Sequence, residues 1–553
     1  MNRKHLKGGG SGVNGKEQEI RKKELLRLYK RATGNDKVLT AQRMRKLTLL
    51  EAVISGDVPT VQRLLENWGN MHTTDVPEAS PLSEAMLRAA KDGNMSMVSL
   101  LIAKGAPVDI KDQQGDTPLL LAAGKGHEIV VKCLLEKGAK VNSRDRSDET
   151  PLHIAAGKGH VIVVKYLLEG GAEVNSKDFL DRTPLHIAAL NGHEMVMKCL
   201  LEKGAKVNSK DRSEGTLLYI AAKEGHEMVV KYLLEGGVEV NSKDRSDWTP
   251  LHIAALNGHE MVVKYLLGGG AEVNLKDRSD WTPLYIAALN GHEMVVKYLL
   301  EGGAEVNSKD RSDRTPLHIA ALNGHEIVVK YLLEGGAEVN LKDRCGKTTL
   351  YIAAEKGYEM VLRYLLEGGG DVNSKDRSDR TPLHIVALNG HEMVVKCLLK
   401  KGAKVNSRDC WVEPLLYIAA LNGHEMVVKY LLEGGAEVNL RDRSDRTPLH
   451  IAALNGYEMV IKYLLEGGAE VDSRNRSDGT PLHIAALNGH EMVVKYLLEG
   501  GAEVNSKDRS DQTPLHIAVL NERDTIVKSL IEHGAAVDSE VSHGRVGPIL
   551  KSN

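Results

Sequence analysis

Residues 183–215 read TPLHIAALNGHEMVMKCLLEKGAKVNSKDRSEG, and this stretch decides the fold. Thr183 is a helix N-cap, its hydroxyl placed to accept from an amide of the first turn. Pro184 suits the first helical position, where a missing N–H costs nothing. Leu185, Ile187, Ala188 and Ala189 form a short apolar helix whose small residues admit a close neighbour. Asn191-Gly192 ends it, since both residues tolerate the left-handed conformation. A second helix follows, with Val196, Leu200 and Leu201 at helical spacing on its core side. Gly204-Ala205 closes that helix, and Val207-Asn208 opens an extended finger running through Lys210-Asp211-Arg212. Two short antiparallel helices cannot bury both faces alone. A further copy must supply the missing partner.

Further copies are present. Fourteen blocks of 33 residues run from Glu84 to Arg545, phased by a threonine at Thr117, Thr150, Thr183, Thr216, Thr249, Thr282, Thr315, Thr348, Thr381, Thr447, Thr480 and Thr513. A fixed period of this size predicts an all-α solenoid, which offers a long surface rather than a pocket. The usual prior of several domains for 553 residues does not apply to such an array. A larger rhythm is superposed. Tyr219, Tyr285, Tyr351 and Tyr417 replace the TPLH histidine at intervals of 66 residues, so the array looks copied in pairs. These tyrosine blocks also hold most of the broken Thr-Pro pairs and are expected to be softer.

The ends differ from the middle. Residues 1–46 hold fourteen Lys/Arg and four Asp/Glu, a balance of +10. The whole chain carries −2, so the remainder carries −12 (−2 minus +10). Residues 1–15 read as disordered. Residues 16–33 suit a basic helix with Ile20, Leu25, Leu28 and Tyr29 on one side, either packed on the first repeat or serving as a targeting or partner segment. Residues 47–83 are a degenerate N-capping repeat with Gln62 and Arg63 facing out. The last block, 513–545, has the added charge of a C-cap, and 546–553 form a tail. The five cysteines show no CxxC. Cys133, Cys199 and Cys397 stand where other blocks have tyrosine and read as small core residues. Reduced thiols, no signal peptide and no long apolar run point to a cytoplasmic protein, with nuclear entry open through the basic N-terminus.

TPLHIAA, NGH, VVKYLL, GGAEVN and the DxxDxT finger resemble the ankyrin repeat over roughly residues 47–545. The resemblance implies helix–turn–helix units with short β-hairpin fingers, and binding of other proteins along a concave face. Three departures stand out. The finger glycine of the family is mostly aspartate here (Asp148, Asp247, Asp280, Asp313). The second helix often ends in Gly-Gly, as at Gly302-Gly303, at an expected cost of up to about 1 kcal/mol per copy. Pro414 replaces the capping threonine of its block.

The copies act as an internal alignment. Core positions scarcely vary, whereas the residue before the threonine varies freely and includes Arg182, Trp248, Trp281, Arg314, Lys347 and Arg380. In the ankyrin fold this position faces the concave groove. Solvent drift would give the same variation, but adjacent tryptophans are hard to explain as solvent residues. A second stripe, Leu256, Leu289 and Leu322, then Glu355, then Leu388 onward, reads as inter-repeat packing or as an apolar groove floor. The expectation is that Trp248, Trp281, Leu256 and Leu289 form one exposed apolar patch. The finger asparagines Asn142, Asn175, Asn208, Asn241, Asn274, Asn307 and Asn340 match the family position that can be β-hydroxylated; a structural hairpin role is the alternative.

Catalytic signatures are missing. HEMVV begins like HExxH, but Val263 stands where a second histidine is required after His259-Glu260. TPLH histidines recur a block apart, about 10 Å for packed helices, too far to share a zinc. No phosphate-binding glycine loop or nucleophile elbow occurs. The chain therefore reads as a non-enzymatic, monomeric scaffold or adaptor for a protein partner, with no metal or cofactor and no nucleic acid on the repeats. A nuclear or cytoskeletal tether directed by the N-terminus, and a latrotoxin-like toxin or effector, are the other readings.

Overall fold

A computed structural model describes residues 48–66, 81–409 and 413–537. The basic segment 1–46, most of the longer finger of the N-capping repeat, residues 410–412 and the tail lie outside the described residues. Two compact units divide the chain, one ending at Glu239 and the other beginning at Val240.

Each unit is built from helix pairs. Pro184–Leu190 with Glu194–Glu202 is one such pair in the first unit, and Pro283–Asn290 with Glu293–Glu301 is one in the second. The first helix starts where threonine places it. Thr282 Oγ1 accepts from the Tyr285 amide at 3.2 Å, with Pro283 at the first position. It stops at Gly291, whose φ of 75° only glycine adopts without strain. In the pair at 183–202, Gly192 takes that left-handed conformation while Asn191, at φ −99°, does not. The second helix begins at a histidine that makes no side-chain cap. Its ring works elsewhere: His292 Nε2 meets the Leu256 carbonyl of the preceding repeat at 2.9 Å. A Cβ on Gly258 would lie 2.7 Å from that imidazole. Gly-His is thus a joint between repeats, which accounts for His259 and its equivalents without catalysis.

Within each unit, first helices pack on first helices of the next repeat and most second helices on second helices. Leu284, Ile286, Ala287, Ala288, Val295, Val296 and Leu299 are fully buried between them. Burying one such large side chain contributes about 1.5–3 kcal/mol, so neighbours stabilise one another. Cys133 and Cys199 are buried, Cys397 is half-buried and Cys345 is exposed; all four are free thiols.

The fingers depart from the expected β-hairpins. Among the described residues they carry only isolated bridges, such as Lys210 with Thr216 and Lys342 with Thr348. Aspartate shapes them instead. Asp277 Oδ1 accepts from the Ser279 and Trp281 amides at 2.7 and 2.8 Å, closing a turn. The next aspartate, Asp280, takes φ 63° in the family's glycine position. Glu214 takes the same conformation at 64° with a longer side chain less suited to it.

The Gly-Gly cost is also not met. Gly302 is the C-cap rather than a helix-interior residue, and a Cβ there would come 3.1 Å from Leu267. Gly303 has φ 84°, where alanine would be worse. Of the broken Thr-Pro starts at 348–349 and 414–415, Pro414 makes no side-chain cap. Thr349, in the other, sends its hydroxyl to the Val339 carbonyl at 2.8 Å and so gains a bond that proline could not make.

Candidate protein-binding face

In the block from Thr348, the residue before the threonine and the one eight positions later lie on one face. Lys347 and Glu355 show this directly: the ammonium lies 2.9 Å from both carboxylate oxygens. Trp248 and Leu256, Trp281 and Leu289, and Arg314 and Leu322 hold the same two positions in their repeats.

The tryptophans are not fully exposed. Trp248, Trp281, Leu256, Leu289 and Leu322 are all half-buried. Trp248 Nε1 donates to Asp277 Oδ2 of the next finger at 2.9 Å, so this indole also ties two repeats together. Trp281 stacks on Tyr285, with ring centres 5.3 Å apart and planes at 24°. The more exposed leucines come later: Leu388, Leu421 and Leu454 at 37–38%, Leu487 at 48% and Leu520 at 68%.

The cations of this position are matched by carboxylates. In the first unit, Arg182 reaches Asp178 at 2.7 Å. In the second, Arg314 reaches Asp310 at 2.8 Å and Arg380 reaches Asp409 at 3.5 Å. The signal for the first two pairs was present as Asp four residues before Arg. Burial works against the charge of Asp310, but amides of Arg314 and Ser312, the Tyr285 hydroxyl and the Arg314 guanidinium outweigh it and hold its pKa below the usual range. At Asp116 the shift reverses, Lys91 being too weak an influence to prevent it. Burial, then Asp112 and Asp145, raise the pKa of Asp116.

Behind this face, two side chains fill the TPLH position. In histidine repeats, Thr315 Oγ1 and His318 Nδ1 are 2.8 Å apart and His318 Nε2 meets the Leu341 carbonyl of the next finger at 3.1 Å. In tyrosine repeats, the Tyr351 hydroxyl donates to Asp376 Oδ2 at 3.0 Å. Burial lowers the pKa of His252, His384 and His450 to about 4, so each is neutral near pH 7. His384 departs from the pattern: its buried Nε2 has no partner among the described residues.

The finger asparagines join successive fingers. The amides of Glu173, Lys206, Glu272, Glu305, Glu338 and Asp371 donate to the Oδ1 atoms of Asn142, Asn175, Asn241, Asn274, Asn307 and Asn340 at 2.8–2.9 Å. Among the described residues, no group of three His, Cys, Asp or Glu is placed to hold a metal ion, and no helix is long and apolar enough to cross a membrane. A hollow of about 280 Å³ lies at Gly192, Glu194, His226 and Met228 in the first unit.

A family model described as ankyrin repeats in three copies matches residues 49–145, 144–211, 210–277, 263–343, 329–409, 411–475 and 468–541. No curated protein matches the chain. The threonine–proline helix starts, the glycine–histidine joints and this coverage lead to one conclusion: the chain belongs to the ankyrin-repeat family.

Proposed function

We propose that this chain is a non-enzymatic scaffold or adaptor that holds a partner protein against the finger–helix face of its second unit. The observation that carries the reading is the contrast between a repeated core and a varied surface position. Leu284 and Leu317, and Val296 and Val329, are buried equivalents of identical type, while Trp281, Arg314, Lys347 and Arg380 follow one another at one surface position. Ankyrin repeats are generally protein-interaction modules, which supports a partner that is itself a protein. Tryptophan beside half-buried leucine is the composition of an interface hot spot. Because the cations are already matched, apolar contact carries the affinity in this reading and charge only frames it.

The chain works in the cytoplasm in this reading, in keeping with free Cys133, Cys199, Cys345 and Cys397. Proximity labelling from the native cell would name the partner. Leu289→Glu with Leu322→Glu should then abolish its capture while the array stays folded. Capture that survives both substitutions would place the interface elsewhere and overturn the proposal.

A further inference from the structure

Trp248 and Trp281 hold the same place in successive repeats and are bonded differently. Trp248 Nε1 has an acceptor, Asp277 Oδ2, at 2.9 Å. The equivalent acceptor for Trp281 would be Asp310 Oδ2. That oxygen is taken by the Tyr285 hydroxyl at 2.8 Å and by Arg314 Nε and Nη2 at 3.0 and 2.8 Å. Two differences combine: Arg314 stands four residues after Asp310 where Trp281 stands four after Asp277, and the residue at the TPLH position differs. His252 sends its ring to the Trp281 carbonyl at 3.3 Å and leaves the carboxylate to the indole. Tyr285 is long enough to claim the carboxylate itself. The Trp281 indole N–H therefore donates to no protein group among the described residues. Its nitrogen is not one of the buried polar atoms left without a partner, so it remains open to solvent.

We infer that Trp281, rather than Trp248, is the specificity-determining residue of this face, its indole N–H donating to a backbone carbonyl of an extended partner segment. This rests on the proposed groove reading and deepens it. An extended segment fits because its carbonyls are unpaired, as in other aromatic-lined grooves that read peptide backbone. Its stride fits as well. Repeats stack at about 10 Å, and one three-residue turn of a polyproline II segment, which returns its side chain to the same face, spans about the same distance at ~3.1 Å per residue. A segment anchored at Trp281 sets one side chain on Leu289 and another, about three residues on, on Leu322. A donor that no protein group satisfies penalises any occupant lacking an acceptor there, which is how a hydrogen bond discriminates.

Two substitutions separate the roles. Trp281→Phe keeps an aromatic ring against Tyr285 and removes only the donor; Trp248→Phe removes the bond to Asp277. Linear peptides selected from a random phage-displayed library on the full chain serve as probe. Nuclear magnetic resonance of the nitrogen-labelled indoles follows the free protein. In the free chain the Trp281 indole proton should exchange quickly with water and the Trp248 proton slowly. Selected peptides that lose binding to Leu289→Glu should bind Trp281→Phe about tenfold more weakly, the worth of one hydrogen bond, and Trp248→Phe within about twofold. Unchanged binding to Trp281→Phe, an equal loss in both variants, or a slowly exchanging Trp281 proton would overturn the inference and leave the groove reading standing. Binding that survives Leu289→Glu, or a failure to select any peptide, would overturn the groove reading itself.

Discussion

The Tyr285 hydroxyl donates to the Asp310 carboxylate of the following finger at 2.8 Å, doing with an uncharged group what histidine does in the neighbouring repeats. The two ties differ in their response to acid. Burial depresses the pKa of His153, His186, His318 and His483, and takes His252, His384 and His450 to about 4. The unfolded chain binds protons on these rings below about pH 6.5, while in the folded chain His252, His384 and His450 do not until about pH 4 and burial delays the other four in the same direction. Stability is therefore full above the unfolded value and is lost as pH falls through that window. Burial raises the tyrosine pKa instead, so Tyr285 stays a donor throughout.

Acid should thus loosen histidine repeats first. His318→Tyr gives Asp343 a partner of the Tyr285 type and should shift acid unfolding of the 315–347 block to lower pH. Amide exchange at pH 7 and pH 5 measures this. Equal sensitivity in the variant and the wild type would show that the buried imidazole is not responsible.

Trp248 has a structural role that Trp281 lacks. Trp248→Phe leaves a largely buried Asp277 oxygen without its donor and should cost about 1–2 kcal/mol. Trp281→Phe should cost less than about 0.5 kcal/mol. Local exchange protection across residues 244–282 reports both. Equal losses would contradict the assigned bonding.

The finger asparagines make a comparable prediction. Asn274→Ala removes the acceptor for the Glu305 amide and should speed its exchange, at a cost of about 1 kcal/mol. The same side chains are proposed hydroxylation sites. Mass spectrometry of native protein showing no added oxygen on any of Asn142, Asn175, Asn208, Asn241, Asn274, Asn307 or Asn340 would remove that proposal.

A weak point is predicted within residues 340–420. Pro414 supplies no cap, a loss of about 1 kcal/mol, and the buried His384 Nε2 of the preceding repeat has no partner among the described residues. Thr349 is compensated by Val339, so the defect should centre on 405–420 rather than on 348. Limited proteolysis that first cuts inside 249–332 would contradict this.

The helix pairs were legible because each boundary has a local chemical cause: Thr282 and Pro283 start a helix, and Gly291 stops it. The finger–helix face was half legible. Period alone placed Trp281 and Leu289 in register, and the Lys347–Glu355 substitutions occur together in one block, which hints that the two positions meet. Side-chain competition was not legible. That Tyr285 takes the carboxylate from Trp281, while His252 leaves it to Trp248, depends on the reach of each ring across a finger 25 or 29 residues away.

The central claim is that the partner lies on the face bearing Trp281 and Leu289. A photo-reactive residue placed at Leu289, and separately at Lys297 on the outer side of the second helix, tests it in the native cell. The account predicts that one protein is cross-linked from position 289 and not from 297. Cross-linking from 297 alone would contradict it.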